Sequence, residues 1–196
     1  MDDHSATWKQ LMKPTLLKAE QTIRDQISWL SDTLLHLEDK NHNLFSQVVV
    51  NLKEGKIFRS SVMANELVEL RKITRIVIQT KLVLEQIELR ICTVTEMGDW
   101  LAAVAPVVST VKNLKKNFSG VVPQAKDNLL ELSSIMGDIL NQACNNGYSF
   151  NSKAVNQDAD FIIAEAAAVA EKIIKERFPE LPNDIIMTLN KEVEMT

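Results

Sequence analysis

The stretch LKEGK, residues 52–56, decides how this chain folds. On both sides of it apolar residues recur at helical spacing for many turns. Gly55 is the first of five glycines, and the next is Gly98. A glycine accepts the left-handed backbone conformation that ends a helix. A connection this short returns the following helix antiparallel to the first. The stretch therefore predicts a long antiparallel helical hairpin.

Upstream, a helix is expected from about Pro14, a residue tolerated in a first turn, to about Leu52. Ile23, Ile27, Leu30, Leu34, Leu37, Asn41, Leu44 and Val48 follow one another in alternating steps of four and three, the spacing of a heptad seam. Asn41 is its polar member. It either fixes the register of the seam or faces solvent where the seam loosens. Trp29, Leu35, Phe45 and Val49 widen the stripe.

Downstream, Met63, Leu67, Leu70, Val77, Leu84 and Ile91 form the answering stripe. Val62, Val68, Ile76, Val83 and Leu89 lie off it, so this helix is apolar on more than one side. A hairpin partner covers one side, and something else must cover the rest. The pattern runs past Gly98 to about Asn117, with a kink or break expected at Pro106. Gly55, Gly98 and Pro106 are the candidate hinges. A helix over residues 60–99 would span about 60 Å, so an elongated molecule is expected.

The rest of the chain reads as shorter helices. FSGVVPQ, residues 118–124, is a loop. Residues 125–145 place Leu129, Leu132, Ile135, Met136, Ile139 and Leu140 on one helical face. A polar linker follows over 146–157. Residues 158–177 read as an amphipathic helix with Asp158 and Asp160 at its start and Lys172, Lys175 and Arg177 at its end, as the helix dipole favours. Its expected apolar face is Phe161, Ala164, Ala168 and Ile174. Pro179 stops it. The chain thus divides into an N-terminal segment (1–13), a helical core (14–145), a linker (146–157), a regulatory helix (158–177) and a tail (178–196). The fold class is all-α.

Composition narrows the function. The chain is 45% hydrophobic but only 5% aromatic, which suits helix packed on helix. No apolar run approaches the roughly 18 to 20 residues of a membrane span, and residues 1–10 do not read as a signal peptide. Cys92 and Cys144, far apart in sequence, read as small hydrophobes in a reducing compartment. Residues 1–153 carry 18 basic and 17 acidic side chains, and residues 154–196 carry 4 and 9. A neutral body with an acidic end lacks the basic face of a nucleic-acid binder. His4, His36 and His42 do not converge at metal-binding spacing, and no catalytic signature occurs. No catalytic residue, metal or cofactor is expected, and the protein is not expected to be an enzyme.

Interaction surface is what remains. Trp8, Leu11 and Met12 share a side at helical spacing, with Lys9 and Lys13 beside them. Such a segment lies in a membrane interface or packs on the base of the hairpin. Lys112, Lys115 and Lys116 are the densest basic run of the body. They offer either a second membrane contact or a solvated helix end. FPELP, Phe178, Pro179, Glu180, Leu181 and Pro182, is stiff and extended, with two apolar anchors. It is either a ligand for a groove between helices or a helix stop.

Together the short glycine turn, ANELVELRKITR, LVLEQIELRI with TVTEMGD, and GVVPQAKDNLLEL resemble the ESCRT-III superfamily, and most of all its archaeal CdvB-type cell-division branch. The resemblance covers residues 20–145. It implies a long hairpin, shorter third and fourth helices, and a fifth helix able to fold back on the hairpin. It further implies homopolymers or copolymers with related subunits, constriction and scission of membranes at the division site, and a cytoplasmic, peripheral location. Disassembly would fall to an AAA ATPase carrying a MIT domain, and FPELP resembles the Pro-containing tail segments that bind such domains. Two features depart from the family. Residues 1–100 hold 13 basic and 14 acidic side chains, where many family hairpins are strongly basic. Only 14 residues follow Pro182, so the winged-helix-like segment of some archaeal relatives is not expected. The alternative is a soluble helical adaptor or coiled-coil scaffold that acts without touching lipid.

Overall fold

The computed structural model describes residues 3–97, 100–118, 123–145, 152–182 and 185. They form five helices: α1 (Asp3–Lys53), α2 (Ile57–Met97), α3 (Trp100–Phe118), α4 (Pro123–Asn145) and α5 (Ser152–Arg177). No strand occurs among the described residues.

Helices α1 and α2 are the expected antiparallel hairpin. Gly55 has φ 73°, in the left-handed region. Its N–H donates to the Leu52 carbonyl and the Lys56 N–H to the Asn51 carbonyl, both at 2.9 Å. This pair of bonds caps the carbonyls that a helix end leaves without donors. The Ser60 hydroxyl donates across the turn to the Val48 carbonyl at 2.9 Å, tying the two helices just below the tip. The seam is built from Ile23, Leu30 and Val48 of α1 against Leu67, Val77, Leu84, Ile87 and Ile91 of α2, all essentially inaccessible to solvent. Ile27, Leu34 and Leu37 pack at its margin.

At the other end the chain turns back on itself. α3 packs on α2, α4 packs on α3 and α1, and α5 packs on α2 and α3. One continuous core joins Val104, Val107, Val108, Val111 and Leu114 of α3, Leu129, Leu132, Met136 and Ile139 of α4, and Ile162 and Ala166 of α5 to the hairpin.

Several boundaries differ from the sequence expectation. α1 begins at Asp3 and carries Pro14 inside it, because Leu16, Ala19 and Ile23 anchor the following turns. Proline loses one backbone bond there and stands exposed. α2 is described to Met97 and α3 from Trp100, and α3 runs through Pro106 without ending. Pro106 is buried at the start of the Val104–Val111 stripe, and packing on that side holds the helix together. α5 begins at Ser152, so residues 152–157 of the expected linker are helical and Asp158 lies in the second turn of α5.

Candidate functional site

The surface with the most to explain is the side of the hairpin covered by α5 and the tail. α5 lies antiparallel to α2. The Gln86 amide donates to the Glu165 carboxylate at 3.3 Å, the Gln79 amide to the Ile163 carbonyl at 3.2 Å, and Arg75 Nη1 to the Glu171 carboxylate at 3.1 Å. On the α3 side the Ser109 hydroxyl bonds the Asn156 side chain at 2.8 Å. Between these polar edges the buried residues of α5 are Ala159, Ile162, Ala166 and Ala170. Three alanines in four positions let the helix backbone approach closely, at the cost of little apolar area.

This is a correction to the face expected from sequence. Phe161 is 69% exposed, and Ala164 and Ala168 point outward with it. Ile174 is half-buried. The inward face is shifted by two residues, 159, 162 and 166 in place of 161, 164 and 168, which is the opposite side of the helix.

Beyond α5 the tail continues along the hairpin. Phe178 is 7% exposed, and the Arg71 guanidinium carbon stands 5.7 Å from its ring centroid. Arg71 Nε donates to Asn41 Oδ1 at 2.9 Å. Asn41 is therefore buried and bonded across the seam, which decides between its two sequence readings. Burial pushes the Arg71 guanidinium below its ordinary pKa, and its Nη2 has no hydrogen-bond partner among the described residues. An unpaired buried donor costs about 1–3 kcal/mol, so this clasp is weaker than its contacts suggest. Leu181 packs beside Leu44, Leu67 and Leu70 and reaches the small cluster of Val48, Ala64 and Ile185. Arg177 Nη1 pairs with the Glu38 carboxylate at 2.7 Å. Glu38, Asp39, Asn41, His42, Arg177, Phe178 and Pro179 line a cleft of about 470 Å³ beside the clasp. Pro179 and Glu180 face solvent, and Pro182 is half-buried.

The five off-stripe residues of α2 do not share one surface. Val83 is fully buried and Ile76 packs against the core. Val68 is half-buried, while Val62 and Leu89 are exposed. Lys13 and Lys112 are exposed. The side chains of Trp8, Lys9, Leu11, Met12, Lys115 and Lys116 lie outside the described residues, as does Gly98.

Sequence reasoning missed Arg71, Ser60 and Ile185. It also missed the alanine stripe, whose spacing at 159, 166 and 170 with Ile162 between was a visible signal. Among the described residues no cluster of three or more His, Cys, Asp or Glu could hold a metal ion, and no helix is long and apolar enough to cross a membrane.

No family model matches the chain, and no solved structure matches it. Curated proteins do, among them two of Sulfolobus acidocaldarius. Cell division protein B1 is 35% identical over 175 residues, covering 89% of this chain and 82% of that protein. Cell division protein B is 27% identical over 165 residues, covering 82% of this chain and 62% of that longer protein. With a hairpin-based all-α fold and this similarity along most of its length, the chain belongs to the CdvB-type archaeal cell division proteins.

Proposed function

We propose that this protein is a filament-forming, ESCRT-III-like subunit, not an enzyme, that remodels and cuts membrane in archaeal cell division. In this reading a MIT-domain AAA ATPase takes the filament apart. The observation that carries it is the packing of α5 and the tail on the subunit's own hairpin. A helix held largely by alanines, and a clasp with an unpaired buried donor, can leave that surface to a neighbouring subunit at modest cost. The same fold-back hides Phe178 and Leu181, the two anchors of FPELP. The ATPase would then bind open, assembled subunits in preference to closed ones.

The test compares the full chain with one ending at Lys153, by sedimentation and negative-stain imaging. The shortened chain should assemble at a lower concentration and should no longer bind a MIT domain. Unaltered assembly would sink the fold-back as a brake. A stable dimer at every concentration, in both chains, would favour a helical adaptor instead.

A further inference from the structure

We propose that the tip of the α1–α2 hairpin is a docking knob for an anionic lipid surface, which it meets end-on. The proposal rests on the membrane-remodelling reading above and names the part of the subunit that touches lipid.

Phe58 is 82% exposed, the most exposed large apolar side chain among the described residues. Val62, one turn further along the same face of α2, is 45% exposed. Ile57 at 46% and Val50 at 52% stand within two turns of Gly55. The left-handed φ of Gly55 makes the turn abrupt, so all four gather at one convex end of the hairpin. Residues 53–59 are exposed without exception. The tail covers the hairpin as far as Val48 and Ala64, and among the described residues nothing covers the tip.

Charge separates the tip from the body. Lys53, Lys56 and Arg59 surround the apolar residues, and Glu54 is the single acid in residues 50–62. Glu54 accepts a 2.6 Å bond from Lys56 Nζ. Arg59 also acts on Glu54 through its charge, and Lys53 forms no ion pair among the described residues. The next three turns inward carry Glu38, Asp39 and Lys40 on α1 and Glu66, Glu69, Arg71 and Lys72 on α2, four acids against three bases. The hairpin is therefore near neutral as a whole yet cationic at its apex.

A convex apolar knob has no groove of its own in which to bury Phe58. It is best stabilised by a medium that deforms around it. The headgroup boundary of an anionic bilayer supplies both acyl chains for Phe58 and Val62 and negative charge for the three cations.

The test floats the full chain with vesicles of phosphatidylcholine containing about one third phosphatidylglycerol, and with phosphatidylcholine alone. Lipid-free assembly is followed in parallel by sedimentation. The wild type should bind the anionic vesicles, and binding should weaken as salt rises. Phe58→Glu should lower binding about tenfold, and Lys53→Glu with Arg59→Glu should do the same, both assembling normally without lipid. Undiminished binding by both variants would overturn the proposal. So would loss of lipid-free assembly with unchanged vesicle binding, which would make the tip a contact with a second copy. A wild type that assembles but binds neither vesicle overturns the tip alone. One that neither assembles nor binds overturns the membrane reading as well.

Discussion

The α1–α2 seam and the α5 contact differ in length and in material: buried apolar residues of α1 run from Leu16 to Val48, those of α5 from Ala159 to Ala170. The seam uses Ile23, Leu30, Leu67, Leu84, Ile87 and Ile91, large side chains removed from water. The α5 contact uses Ala159, Ala166 and Ala170 around Ile162, with exposed hydrogen bonds along its edges. Burial stabilises roughly in proportion to apolar area, about 25 cal/mol per Å². The seam is thus built to persist and the α5 contact to let go. In the proposed function the first is the scaffold and the second the moving element.

The largest expected effect probes the seam. Leu30→Ala should destabilise the whole protein by about 2–5 kcal/mol, because the surrounding helices cannot collapse fully onto the space left behind. Chemical denaturation monitored by helical circular dichroism reads it. A loss below about 1 kcal/mol would mean that the seam is not the stable half of the pair.

A smaller, local effect is expected at Ala166. Ala166→Arg places a charge at a fully enclosed position of α5 and should release that helix while leaving α1–α2 folded. Amide hydrogen exchange should accelerate over residues 152–177 and stay slow over the hairpin. Equal acceleration in both would erase the distinction between scaffold and moving element.

The smallest effect sharpens the edge of the α5 contact. The hydrogen bond from Arg75 holds the Glu171 carboxyl below its ordinary value of 4.5 in the closed form. A depressed carboxyl pKa adds stability that is present above the open-state value and is lost as pH falls through the closed-state value. Glu171→Gln should therefore favour opening slightly at neutral pH and match the wild type once the pH has fallen below the closed-state value. The pair is exposed, so the difference should be small. A difference between the two proteins that persists in acid would assign it to something other than this ion pair.

Much of the architecture is legible before any coordinates. The heptad steps from Ile23 to Val48 place a continuous apolar line along α1, and a helix has only one way to bury it. LKEGK reads as the turn because glycine is the residue that reaches φ 73° without strain. Pro179 reads as a stop because it cannot continue the helix. Other features required neighbours. Pro14 and Pro106 look like boundaries, yet both lie within helices whose adjacent turns are anchored by packing. Val83 looks like a free apolar residue until α3 and α5 close over the hairpin.

The hairpin, its seam, its turn and the helices that follow are legible in the chain alone. These follow from local propensity and from periodicities that repeat over many turns. Packing between helices chose the inward face of α5, paired Asn41 with Arg71, and tucked Phe178 and Leu181 against α1 and α2. α5 is apolar on two sides, with Phe161, Ala164 and Ala168 on one and Ala159, Ile162, Ala166 and Ala170 on the other. Its own pattern cannot rank them. The choice belongs to α2 and α3, against which α5 turns Ala159, Ile162, Ala166 and Ala170 while Phe161 stays in solvent.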